Sequence, residues 1–98
     1  MLKKHYYPGD RHCRVWFYLP AAVNAETAYL VGDFNGWDQR ANPMKKKKDG
    51  TFYTALTLDV GQSYEFRYLL DQERWENDWS ADAYSPNEMG TENSVIEV

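Results

Sequence analysis

The sequence has only one cysteine, Cys13. A lone thiol closes no intrachain disulfide, so nothing points to an oxidising compartment. No apolar run approaches the ~20 residues of a membrane span. The stretch Met1-Leu2-Lys3-Lys4-His5-Tyr6-Tyr7-Pro8 lacks the apolar core of a secretion signal. The expected compartment is therefore the cytoplasm, with no membrane involvement. Positive charge is also scarce. Eleven Lys and Arg face fifteen Asp and Glu, for a net charge of −4. That balance disfavours nucleic acid, because phosphate backbones demand a basic footprint. The exception is Lys45-Lys46-Lys47-Lys48, which Pro43 and Asp49-Gly50 flank and which reads as a solvated loop rather than an anion patch. No window keeps an apolar helical period with caps, so no helix is expected.

What remains is strand-like alternation. Val15, Phe17 and Leu19 alternate with Arg14, Trp16 and Tyr18, and Pro20 ends the run. Thr27 to Gly32 reads as a second strand and Thr51 to Val60 as a long third. From Ser63 to Leu70, Tyr64, Phe66, Tyr68 and Leu70 share one face, with Glu65, Arg67 and Leu69 opposite. Arg74 to Glu76 is a short return strand, and Ser94 to Val98 closes the chain. Asp49-Gly50, Val60-Gly61-Gln62 and Asp71-Gln72-Glu73 have turn chemistry. Six or seven short strands with regular turns predict an all-β, antiparallel two-sheet sandwich. The paired cysteines of antibody domains are absent, so the pattern supports an immunoglobulin-like sandwich and no closer class. At 98 residues the chain fits one domain over 1–98, with 1–12 expected as an N-terminal extension.

The constellations that carry catalysis are thin. His12 adjoins Cys13, but neighbouring side chains on a strand point to opposite faces, which precludes a thiol–imidazole pair. One Cys and two His do not make a zinc site. Glu73, Glu76, Asp78 and Asp82 crowd one segment, yet a small sandwich has little room for a cleft between paired carboxylates. They read as a solvated acidic loop with Asx-turn contacts. Asn77, Asp78 and Asp82 lack any specific calcium spacing. No catalytic residue, metal site or cofactor is expected.

Aromatics are the surplus: 4 Trp, 8 Tyr and 4 Phe. A small core uses a few of them. Trp37 follows the loop sequence Gly32-Asp33-Phe34-Asn35-Gly36, and Trp75 follows the Asp71-Gln72-Glu73 turn. Both read equally well as core residues or as surface platforms. If Tyr64, Phe66 and Tyr68 fill the core, Arg67 points outward. Trp and Arg on an open face suit a polyhydroxylated ligand, whose ring stacks on indole while its hydroxyls accept from guanidinium. Trp16 and Tyr18 also face outward. They either pack against the N-terminal stretch or meet a partner.

The block Tyr29-Leu30-Val31-Gly32-Asp33-Phe34-Asn35-Gly36-Trp37-Asp38 resembles the family-48 carbohydrate-binding modules. These include the glycogen-binding domain of the AMP-activated protein kinase beta subunit and the early-set domain of branching enzymes and isoamylases. Three further blocks agree in order: Asp49-Gly50-Thr51-Phe52; Tyr64 to Asp71 with Trp75-Glu76-Asn77-Asp78; and Gly90 to Ile96. The resemblance implies an early-set immunoglobulin-like β-sandwich and a non-catalytic module for α-1,4-glucans such as glycogen, starch and maltooligosaccharides. It implies Trp37 and Trp75 as stacking residues, Arg67 as the basic donor, Thr91 and Asn93 as the polar pair, and Met89 as the aliphatic residue in the sugar path. Arg67 stands where the kinase domains carry Lys, and Met89 where Leu is usual. Trp79 replaces a frequent Pro and either extends the platform or packs beneath its loop. The implied partners are an α-glucan polysaccharide or oligosaccharide and, in trans, an amylolytic or glycogen-metabolising enzyme or a kinase. The alternative is an early-set interaction domain that binds a protein or itself and has no sugar affinity.

Overall fold

The computed structural model describes residues 2–98; the first residue of the expected extension lies outside them. Among the described residues nine strands form two antiparallel sheets of immunoglobulin-like, early-set type. They are β1 (Leu2–Tyr6), β2 (His12–Leu19), β3 (Ala28–Gly32), β4 (Lys45–Lys46), β5 (Phe52–Asp59), β6 (Ser63–Leu70), β7 (Arg74–Glu76), β8 (Ala83–Pro86) and β9 (Glu92–Glu97). The first sheet has the order β1-β2-β5-β4, and the second has β3-β6-β9-β8 with β7 added to β6. Single 3-10 turns occupy Ala21–Val23 and Asp33–Asn35.

Alternation builds the core. Cys13, Val15, Phe17 and Leu19 of β2 point inward and are buried, as are Phe66, Tyr68 and Leu70 of β6. Phe17 meets Phe66 edge-on at 5.3 Å, and Phe66 meets Tyr68 at 5.6 Å. Each such ring contributes about 1.5–3 kcal/mol by burial, and edge-to-face geometry adds to it. Leu2 and Leu56 pack against the same cluster.

Three sequence expectations meet a different structure. The stretch expected as an extension supplies β1, which pairs with β2 from Leu2↔Phe17 to Tyr6↔Cys13. Lys4 secures it by donating to Asp82 Oδ2 at 2.6 Å and to the Glu97 carbonyl at 2.8 Å. The lysine run is not simply a solvated loop. Lys45 and Lys46 form β4 against β5, Lys46 donates to the Ala25 carbonyl, and Lys47 lies over Tyr18 and Tyr53. The acidic segment is not wholly solvated either. Asp78 is buried at 1% exposure and accepts from Tyr68 Oη at 2.8 Å. Burial, with the charge of Asp78, drives the Tyr68 phenol well above its ordinary range, so the proton stays on Tyr68. Leu69 faces outward as expected yet is only 3% exposed.

His12 and Cys13 do diverge. Cys13 is buried, while exposed His12 reaches Asp10 at 2.8 Å and Asp59 at 3.4 Å. Among the described residues no group of His, Cys, Asp and Glu could hold a metal ion. Among the described residues no helix is long and apolar enough to cross a membrane.

Candidate functional site

Strand β6 changes partner along one edge. Ser63 to Phe66 pair with β9, and Tyr68 to Leu70 pair with β7. Arg67 falls at the change. Side chains close the seam beside it: Asn77 Nδ2 donates to the Glu92 carbonyl, Ser94 Oγ donates to Asn77 Oδ1, and the Asp78 N–H donates to Ser94 Oγ. Register then decides what surrounds Arg67 on the outer face. Residues directly paired across strands share a face. Val31 pairs with Arg67 and Leu69 with Trp75, so these four share the outer face. Buried Val31 and Leu69 form its apolar layer.

Trp37 arrives from the loop after β3. Gly32 is required there, because a Cβ would lie 2.6 Å from the Glu65 carbonyl and 2.7 Å from Phe66 Cβ. Phe34 turns inward between Phe17, Tyr64 and Phe66. Asn35 knits the loop, accepting from the Gly32 N–H and donating to the Leu30 carbonyl and Asn42 Oδ1. Trp37 itself holds a left-handed φ of 60°, a costly conformation for a bulky residue. Its N–H donates to the Gly32 carbonyl at 2.9 Å and its indole Nε1 to Asp33 Oδ1 at 2.8 Å. The second oxygen of Asp33 accepts from the Glu65 N–H at 2.8 Å. One carboxylate therefore fixes the Trp37 ring relative to β6.

Trp75 is 37% exposed, and the Arg67 guanidinium lies over its ring at 5.6 Å. Arg67 Nε is buried and has no hydrogen-bond acceptor among the described residues. An unmade bond of this kind costs about 1–3 kcal/mol.

The third wall is the β8–β9 connection, organised by Asn87. Its Oδ1 accepts from the N–H groups of Met89 and Thr91 and from Thr91 Oγ1. Its Nδ2 donates to Thr91 Oγ1 at 2.8 Å and Asn93 Oδ1 at 3.1 Å. Gly90, at φ +79°, allows the turn to close. Met89 is left 87% exposed at its tip. Asn93 Nδ2 also donates to Glu65 Oε1 at 3.3 Å.

Together Trp37, Arg67, Trp75, Met89, Thr91 and Asn93 line one open groove of about 590 Å³, with Asn87 and Glu88 completing it. All six residues named from the sequence meet there. Asn87, Glu88 and the positioning carboxylate of Asp33 were missed. The spacing of Asn87, Gly90 and Thr91, an Asx turn closed by glycine, is the signal in the sequence that could have found the first. Trp79 does not line the groove; it is exposed and donates to Glu76 Oε1 at 3.3 Å. Trp16 lies on the opposite sheet, across from Lys3 and Ala55.

The groove lies on the outer face of an early-set sandwich, and likeness to known proteins gives the family of that sandwich. Residues 5–85 match the family described as carbohydrate-binding module 48, the isoamylase N-terminal domain. The chain belongs to that family. The 1,4-alpha-glucan branching enzyme GlgB of Butyrivibrio fibrisolvens is 33% identical over 70 residues, covering 71% of this chain and 11% of that enzyme. The 1,4-alpha-glucan-branching enzyme of Emericella nidulans is 48% identical over 53 residues, covering 54% of this chain and 7% of that enzyme. The matched region is thus a small fraction of these relatives' length.

Proposed function

We propose that this chain is a non-catalytic module that holds α-1,4-glucan chains in the Trp37–Trp75 groove. The observation that carries the reading is the convergence of two indoles, an under-satisfied guanidinium and a polar Thr–Asn pair on one open surface. The relatives' action on 1,4-α-glucan gives the ligand class. An indole presents a flat apolar face to the C–H side of a glucose ring. Covering roughly 80–100 Å² at about 25 cal/mol/Å² yields ~2–2.5 kcal/mol per ring. Two rings and a few hydrogen bonds, less ordering costs, suggest a Kd between roughly 1 mM and 10 μM. Arg67 brings donors with fork geometry, and Thr91 and Asn93 bring hydroxyl and amide groups that Asn87 holds in place. Among the described residues Glu88 is the one carboxylate lining the groove, which supports a binding role over hydrolysis by a carboxylate pair.

The test is titration of maltoheptaose or β-cyclodextrin into the 98-residue chain, following tryptophan fluorescence. Saturable binding is expected, and Trp37→Ala with Trp75→Ala weakens it by about a hundredfold or more. Unchanged affinity in that double variant refutes the reading. It then favours the alternative of a protein-interaction domain.

A further inference from the structure

The outer face of the first sheet differs in chemistry from the groove face. Register places Lys3, Trp16 and Ala55 in one row, His5, Arg14 and Thr57 in the next, and Lys45, Tyr53 and Tyr18 in a third. A cleft of about 310 Å³ opens among Arg14, Trp16, Pro43, Lys45, Tyr53 and Thr54. Among the described residues no carboxylate lines it, and neither Arg14 nor Lys45 forms an ion pair. Arg14 is nonetheless held in place. Its Nη1 donates to Thr57 Oγ1 at 3.1 Å, and its guanidinium sits 5.9 Å from the centre of the Trp16 ring. Lys47 lies beside the cleft over Tyr18 and Tyr53, and the nearby Asp49 carboxylate is turned to the Thr51 N–H.

We propose that this cleft is a second binding site, for a hexose carrying a phosphate monoester. Three features support this class. A chain of net charge −4 concentrates unpaired cations here, so the site's field favours a dianion. An Arg fork beside a Lys point charge matches phosphate oxygens better than a single carboxylate. Cleft size is at the low end for small-molecule sites, with Trp16 and Tyr53 as walls on which a sugar ring can rest. The phosphate arrives either on a free sugar or on a phosphorylated glucan chain. This second site does not depend on the Trp37–Trp75 groove.

The experiment is NMR titration of the 98-residue chain with glucose 6-phosphate at physiological ionic strength, reading the Trp16 indole N–H. Expected are a saturable shift at Trp16 and a weaker response to inorganic phosphate. Glucose alone leaves Trp16 unmoved. Lys45→Gln, at an exposed edge that leaves folding intact, weakens binding by about tenfold, and Arg14→Gln does the same in a chain whose spectrum stays dispersed. The response persists in the Trp37→Ala, Trp75→Ala chain, which separates this site from the groove. A phosphorylated maltooligosaccharide that binds that double variant more tightly than glucose 6-phosphate assigns the phosphate to the chain; the reverse order assigns it to the free sugar. Absence of a saturable Trp16 shift overturns the proposal. So does a shift that sodium chloride reproduces, or one that survives both cation substitutions.

Discussion

The two outer faces of this sandwich use aromatics in opposite ways. On the first sheet, cations cover the rings: Arg14 over Trp16, and Lys47 over Tyr18 and Tyr53. On the second, Trp37 is pinned through its indole nitrogen and Trp75 leans on one guanidinium, leaving ring surface to line a groove. Charge is also unevenly placed along the chain. Residues 1–62 carry nine Lys and Arg against six Asp and Glu, whereas residues 63–98 carry two against nine. Similar aromatic chemistry therefore yields a cation-capped face and an open apolar one. Trp75 carries a guanidinium as Trp16 does, so what separates the faces is Trp37, which a carboxylate holds by its nitrogen and leaves bare of a cation among the described residues.

The contrast also separates groups that hold the fold from groups that face a ligand. Asp78 and Arg67 flank the same seam and show it most sharply. Asp78 is buried, accepts from Tyr68 Oη and from the Ser80 N–H, and joins the seam through its own N–H. Asp78→Ala leaves a buried phenol without this acceptor, and we expect a loss of about 3 kcal/mol. Thermal unfolding should show it as a fall of roughly 12–24 °C for a domain of this size. Binding per folded molecule should change little. A variant that melts normally would show that the seam is held by the Asn77–Ser94 bonds alone.

Arg67 should behave in the reverse way. It forms no ion pair among the described residues, and its Nε lacks an acceptor. Arg67→Met keeps the apolar stem and discards the fork. We expect glucan affinity to fall by roughly 10–100-fold, as for loss of charge-assisted hydrogen bonds, while the melting temperature holds or rises. Isothermal titration beside a melting curve checks both. A parallel loss of stability would place Arg67 with the structural groups and weaken the comparison.

How much of this was legible in the sequence follows from the same distinction. The segment Gly32 to Trp37 was legible through its resemblance to a known family and through the local turn that Asn35 makes, whereas the approach of Gly32 to Glu65 and the packing of Phe34 on Phe66 join distant stretches and were not. Alternation in β2, β5 and β6 was readable because one face is buried. Strands β1, β4 and β8 were not. Leu2–Tyr6 and Lys45–Lys46 are mostly polar edge strands, held by a partner's backbone rather than by their own pattern. The burial of Val31 and Leu69 was equally hidden, since alternation cannot show that outward residues lie under a further layer. For the site, residue types were legible but the supports of Thr91 and Asn93 were not. Asn87 acts across a turn whose closure only the folded chain displays.

That hidden support gives a smaller effect. Asn87→Ala removes the Asn87 side-chain bonds to Met89, Thr91 and Asn93. The residue is half-buried on a loop, so we expect about 1 kcal/mol of local ordering to be lost and glucan affinity to fall by roughly fivefold. Asn87→Asp, which keeps the acceptor for the Met89 and Thr91 N–H groups, should recover most of it. If both variants bind as the parent does, the loop is set by Gly90 and backbone bonds, and Asn87 is only part of the lining.

The smallest effect concerns the turn that delivers Trp75. Asp71 and Gln72 both have positive φ, 52° and 58°, and the Glu73 N–H closes on the Leu70 carbonyl. This is the backbone of a type I′ hairpin turn without glycine. Asp71 compensates by accepting from the Glu26 N–H at 2.8 Å and the Thr27 N–H at 3.0 Å, tying the turn to the start of β3. Those backbone bonds hold its carboxyl below the ordinary carboxylate range. A depressed folded-state pKa stabilises the fold above the unfolded-state value, and that contribution disappears as pH falls through the folded-state value. Stability should therefore decline on acidification below about pH 4. Asp71→Asn, which tolerates the left-handed conformation and still accepts both bonds, should flatten that part of the curve. Asp10 and Asp49 are depressed by comparable local bonds, so the test is the difference between parent and variant across the acid limb. If the two curves run parallel, the Asp71 charge does not hold the Trp75 turn, and the hydrogen bonds alone suffice.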